Sequence, residues 1–264
     1  MRYHIDTIPL WDSMKLDSEC LFCALRRKNE LLEVERFLGA SVMEPDSRIA
    51  VNQKGFCQSH QKMLFGEKNR LGLALLMHSH MIELDKKVHA LLQQSAHAVS
   101  DGAEVSSVKR FLSGKNAESN KNLSAKAAEL NAFTQHCILC ESLEENMNRY
   151  THTFFHLWQK DTGFKEAVKK SKGFCIPDTS KLLEVASKKL TGAALLEFVT
   201  IIKQLLEENL ARLEKELEWF TLKFDYRNQD KPWENSKDAL ERTINKLRGW
   251  CVGEEPNPKD STHR

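Results

Sequence analysis

Glycine and proline are scarce in this chain, 11 and 6 of 264 residues. That scarcity excludes a collagen-like or long low-complexity design. Charge of one sign is missing as well: 39 Lys and Arg stand against 37 Asp and Glu, a net charge of +2. A nucleic-acid-binding domain is usually strongly basic, so no nucleic acid is expected as a partner. Long apolar runs are absent. Leu71–Met77 and Ala193–Leu206 are short or interrupted by polar groups, and neither approaches the ~20 residues of a membrane span. The opening Met1-Arg2-Tyr3-His4-Ile5-Asp6 lacks the apolar core of a secretory signal, which makes a cytoplasmic location the expectation. No Ser-His-Asp, phosphate-loop, dinucleotide-binding or kinase signature occurs. Nor do two helices offer the Glu-x-x-His motifs of a di-iron bundle. No catalytic residue is therefore assigned, and the reading leans away from an enzyme. No stretch alternates with period two for long enough to make a strand, so the fold class is all-α.

What the chain does have is cysteine in a pattern. Six of its seven cysteines form two matching sets. The first reads Cys20-x-x-Cys23, then Gly55-Phe56-Cys57-x-x-His60; the second reads Cys137-x-x-Cys140, then Gly173-Phe174-Cys175-x-x-Asp178. The register continues into Gly72-Leu73-Ala74-Leu75-Leu76 and Gly192-Ala193-Ala194-Leu195-Leu196, with offsets of 117, 118 and 120 positions. Pairs, triplet and helix start in one register indicate an internal duplication. Where thiols stay reduced, such spacing points to metal or redox chemistry rather than to structural disulfides.

Tetrahedral zinc takes four soft or borderline donors, commonly Cys3His in structural sites. Within the first repeat Cys20, Cys23, Cys57 and His60 supply that set. Within the second repeat Cys137, Cys140, Cys175 and Asp178 make a Cys3Asp set, with His136 or the pair His152 and His156 as stand-ins for the carboxylate. Each Cys-x-x-Cys precedes a helical pattern, and a helix N-terminus favours thiolate. Zinc is the expected cofactor. The alternative is an iron–sulfur cluster on the same thiolates, making this an electron-transfer or sensing protein, and thiol exchange is a third reading.

Helical patterns cover Leu21–Leu38, Gln58–Phe65 and Leu71–Ala98 in the first repeat, the last with an apolar stripe of Leu73, Met77, Met81, Leu84, Val88 and Leu91. Residues Ser41–Lys54, with Pro45 among polar neighbours, read as a loop. In the second repeat, helices are expected over Ser142–Gln159, Gly163–Lys170, Thr179–Lys188 and Ala193–Tyr226. Leu206, Leu210, Leu213, Leu217, Phe220 and Phe224 form the expected seam of the longest. The division is then 1–99, a first metal-binding repeat; 100–126, a polar linker; 127–252, a second repeat ending in one more helix; and 253–264, a disordered tail.

Away from the cysteines, His78 and His80 point to different faces, and Glu214 and Glu216 read as solvated charges. The segment with Asp225, Tyr226, Arg227 and Trp233 is dense in the residue types of binding hot spots, and it is the candidate surface for an unknown protein or small ligand. Cys251 stands alone.

Several stretches resemble a bacterial family of uncharacterised proteins catalogued as a domain of unknown function. They are Tyr3-His4-Ile5-Asp6-Thr7-Ile8-Pro9-Leu10-Trp11, Ser41-Val42-Met43-Glu44-Pro45-Asp46, Gly55-Phe56-Cys57-x-x-His60, Lys223-Phe224-Asp225-Tyr226-Arg227-Asn228 and Asn235-Ser236-Lys237-Asp238-Ala239-Leu240. The resemblance implies an intracellular protein with paired Cys-rich motifs and implies no particular activity. Members of that family often carry His at the position of Asp178.

Overall fold

Cysteine or proline opens five of the helices. In the computed structural model, which describes residues 4–103 and 115–253, every regular element among the described residues is helical. The α-helices are α1 (His4–Met14), α2 (Leu21–Leu38), α3 (Pro45–Lys54), α4 (Gln58–Gly66), α5 (Arg70–Ala103), α6 (Lys115–Ala132), α7 (Ile138–Lys160), α8 (Thr162–Lys170), α9 (Ile176–Lys189), α10 (Gly192–Leu222) and α11 (Ala239–Arg248). The fold is all-α, as the sequence indicates.

The chain divides into two compact units, one of residues 1–29 with 145–264 and one of residues 30–144. These cut across the segments expected from the repeats, and the divisions fall inside α2 and α7. The ends of the expected linker are helical, in α5 and α6; its centre and residues 254–264 lie outside the described residues.

The first unit is built around Phe154 of α7. Its buried ring meets Phe22, Phe155, Phe164 and Phe174 edge-on at 5.4–5.8 Å and stacks on Trp158 at 6.3 Å. Edge-to-face geometry sets the positive ring edge against the negative face and adds to the burial of apolar area. The buried stripe of α10 is Phe198, Ile202, Leu205, Asn209 and Leu213. Of the expected seam only Leu213 is on it, and Phe224 lies past the helix, 72% exposed. Glu216 is no solvated charge either. It pairs with Arg212 at 3.0 Å and with Arg242.

The second unit packs Val34, Phe37 and Leu38 of α2 against Val51 of α3, Phe56, Leu64 of α4 and Leu76 of α5. Residues 41–54 are not a loop. A 3-10 turn over Ala40–Met43 leads into α3, with Pro45 in the first turn. There the missing N–H is no loss, and the fixed φ suits a helix start. Of the stripe expected on α5, Leu91 is buried while Met81 is exposed. His80 reaches the Asn52 carbonyl through Nδ1 at 3.1 Å, and its ring lies so close to Gly55, whose φ is +64°, that a Cβ would sit 2.7 Å from Nε2. On α6, Lys126 donates to Gln94 of α5 at 2.9 Å.

Candidate metal centres

All four ligand pairs occupy the same helical positions. Cys20, Cys57, Cys137 and Cys175 immediately precede α2, α4, α7 and α9, and Cys23, His60, Cys140 and Asp178 stand third in those helices. The carbonyls of the first four accept the opening helical hydrogen bonds, from Ala24, Gln61, Glu141 and Thr179 at 2.8–3.1 Å. Residues three apart on a helix's first turn share one side, which is why both motifs need a two-residue spacer. Two helix N-termini meet at each cluster, and their dipoles favour thiolate there.

The clusters are not the ones expected. One holds Cys20, Cys23, Cys175 and Asp178; the other holds Cys57, His60, Cys137 and Cys140. Each Cys-x-x-Cys meets the Gly-Phe-Cys turn of the other sequence set. The same backbone bond makes both junctions: Leu21 N–H donates to the Gly173 carbonyl at 3.3 Å, and Ile138 N–H to the Gly55 carbonyl at 3.1 Å. The two turns also match, with φ +64° at Gly55 and +76° at Gly173. The physical reason for the exchange is reach. From Cys23, third in α2, to the helix end at Leu38 the chain is carried about 22 Å away. An extended loop could return that distance, but the 10 residues of α3 span only about 15 Å.

In the cluster of the first unit every ligand is buried: Cys20 is 2%, Cys23 6%, Cys175 0% and Asp178 5% exposed. Oδ2 of Asp178 lies 3.2 Å from Sγ of Cys20, 3.2 Å from Sγ of Cys175 and 3.6 Å from Sγ of Cys23. Sγ of Cys23 and Sγ of Cys175 are 3.8 Å apart. Cys23 receives the backbone N–H of Trp250 at 3.3 Å, and Cys20 that of Cys23 at 3.4 Å. Gly249, with φ +84°, makes the turn that delivers the first of these. Burial pushes the Cys20 thiol well above its ordinary value. Hydrogen bonds within the trio push up Cys23 and Cys175 as well. A divalent cation would reverse that preference, because a coordinating thiol is bound as thiolate.

Positive charge surrounds this cluster. Nη2 of Arg26 is 3.8 Å from Oδ1 of Asp178. Lys246 of α11, fully buried, donates to the carbonyls of Glu19 and Lys172 at 2.8 and 2.5 Å. Glu19, itself buried, accepts from Arg212 at 2.6 Å and Arg242 at 3.4 Å. These groups went unread in the sequence. Glu19 adjoins Cys20, but nothing in the local pattern of α11 singles out Lys246.

In the cluster of the second unit, Nδ1 of His60 faces Cys137, Cys57 and Cys140 at 3.2, 3.3 and 3.4 Å. Its Nε2 meets Oε1 of Glu30 at 3.2 Å, the carboxylate–histidine arrangement that orients metal ligands. Hydrogen bonds to Cys137 and Glu30 raise His60 to about 10. Burial acts upward on Cys137, but the bond with His60 and backbone N–H groups outweigh it and hold the thiol down at about 6. Cys140 is pushed up to about 12, by burial and then by Cys137. This cluster is more open: Cys57 is half-buried and Cys140 exposed.

The stand-in ligands are elsewhere. His136 is exposed, and His152 meets Lys189 at 2.7 Å. In the candidate partner surface, Asp225 caps a 3-10 turn over Tyr226–Asn228 and pairs with Arg227 at 2.5 Å. Trp233 lies against Phe220 at 5.8 Å, and Tyr226 is 80% exposed. Buried Lys223 holds this segment together through the carbonyls of Asn228, Gln229 and Lys231 at 2.5–2.8 Å.

Helices with two four-donor clusters, each able to hold a metal ion, define the class of protein. Residues 1–254 match the family of unknown function DUF6062, and the chain belongs to that family. No curated protein and no solved structure matches it. No helix among the described residues is long and apolar enough to cross a membrane.

Proposed function

We propose that each cluster holds one zinc ion and that the protein is a zinc-stapled helical module, which presents a surface to a protein or small ligand rather than catalysing a reaction. The ligand spacing carries this reading. With Zn–S of about 2.3 Å and Zn–O or Zn–N of about 2.0–2.2 Å, a tetrahedral ion sets sulfurs about 3.8 Å apart and sulfur to oxygen or nitrogen about 3.5 Å. The sulfur pairs at 3.8 Å and the mixed pairs at 3.2–3.6 Å match those edges to within a few tenths of an ångström.

The same spacing speaks against an iron–sulfur cluster. There each iron takes its own thiolates, so the ligands spread over the width of the cluster. Here each set of donor atoms lies within 4.8 Å, room for a single ion. A closed four-ligand site without an open position is the structural kind. It turns metal-binding free energy into folding free energy, and here every ion ties one repeat to the other. Exposed Phe224 and Tyr226, beside the Asp225–Arg227 pair, support placing the partner surface at that segment.

Metal analysis and an absorption spectrum of protein purified without oxygen test this reading. It expects two zinc ions per chain and no visible band. Iron with sulfide and a broad visible band would overturn it.

A further inference from the structure

The two clusters differ in who can reach their sulfurs. Cys20, Cys23, Cys175 and Asp178 are all buried, whereas Cys140 is exposed and Cys57 half-buried. In that second cluster Cys137 and His60 are only 4% exposed, so the accessible edge is Cys57–Cys140, whose sulfurs stand 3.8 Å apart. Zinc-bound thiolate remains a nucleophile, and its oxidation follows thiolate character and exposure. Two thiolates side by side, one open to solvent, can pass from sulfenic acid to disulfide without further rearrangement of partners.

We infer that the Cys57–His60–Cys137–Cys140 centre is a peroxide-sensitive zinc–thiolate site, with Cys140 the attacked and Cys57 the resolving thiol, while the other centre is inert. Resting on the zinc reading, the inference adds a modification chemistry to one of the two sites. The Cys140 thiolate attacks a peroxide oxygen, breaking the O–O bond to give sulfenic acid and hydroxide. The Cys57 thiolate then attacks that sulfur and expels a second hydroxide. The two sulfurs lose two electrons, the peroxide gains them, and two protons convert the hydroxides to water. With two of four ligands joined in a disulfide, the zinc ion leaves.

Hydrogen peroxide added to the zinc-loaded full chain tests this. A Cys251→Ser background removes the exposed thiol that lies outside both clusters. Released zinc is followed with a colour-forming chelator, and the thiols are mapped by differential alkylation and mass spectrometry. One of the two ions should leave at least about tenfold faster than the other, as exposure dictates, with a Cys57–Cys140 disulfide and with Cys20, Cys23 and Cys175 still reduced. Both ions leaving together, a disulfide within the buried trio, or retention of both ions in excess peroxide would overturn the inference while leaving two-site zinc binding intact. A starting protein without zinc contradicts the zinc reading itself, and this inference with it.

Discussion

Sγ of Cys20 lies 3.2 Å from Oδ2 of Asp178, which follows it by 158 positions. The companion cluster joins Cys57 to Cys140 across 83 positions. Neither site can pre-form in an unfolded chain, because each needs two distant helix starts side by side. Closing such long loops is entropically expensive, and a clip across them stabilises in proportion to the logarithm of their length.

Metal removal is therefore expected to loosen the fold. Chelation with EDTA should lower the thermal midpoint and the helical signal in circular dichroism, and zinc should restore both. Acid should act in the same direction, because protons compete with zinc for the thiolates and for His60. A chelated protein with an unchanged midpoint would contradict this.

Glu30 positions His60 through Nε2 at 3.2 Å. The variant Glu30→Ala should weaken zinc at that centre by about 10–100-fold, the usual effect of losing a ligand's hydrogen-bond partner. Competition against a chromophoric chelator reads the affinity. The centre with Asp178 should be unaffected.

Lys246 is expected to matter although it lies on no ligand motif. Lys246→Met leaves the buried Glu19 carbonyl and the part-buried Lys172 carbonyl without their charged donor and removes a cation near Glu19. A loss of about 3 kcal/mol in urea unfolding is expected. A change below about 0.5 kcal/mol, the level of an ordinary surface substitution, would contradict this role.

Phe154→Ala should cost about 3–5 kcal/mol, because the ring sits among neighbours that cannot collapse into its space. Phe224→Ala, at a residue 72% exposed, should stay within about 0.5 kcal/mol. Comparable losses from the two would contradict the packing described for the first unit.

Much of this fold is legible in the sequence, because helices α2, α4, α8 and α9 follow from periodicity and from Cys and Gly punctuation. Other features are not, helices α1 and α6 and the buried Lys246 among them. Pro45 opens α3 where the sequence reads as a loop, since a proline marks a break and a first helical turn equally well. The buried stripe of α10 runs through Leu205 and Asn209 rather than Leu206 and Leu210, because polar Asn209 hides its own burial: it bonds the Leu205 carbonyl. The ligand types can be read at Cys20, Cys23, Cys57, His60, Cys137, Cys140, Cys175 and Asp178, but not which pairs meet. Spacing favours the nearer partner, whereas helix length decides the actual one.

That exchange of partners is the central claim, and zinc counting on two double variants tests it most directly. Cys20→Ser with Cys175→Ser damages one cluster and should leave one zinc ion per chain. Cys20→Ser with Cys57→Ser damages both and should leave none. The reverse result, no zinc in the first and one in the second, would show that each repeat closes its own site and would contradict the account.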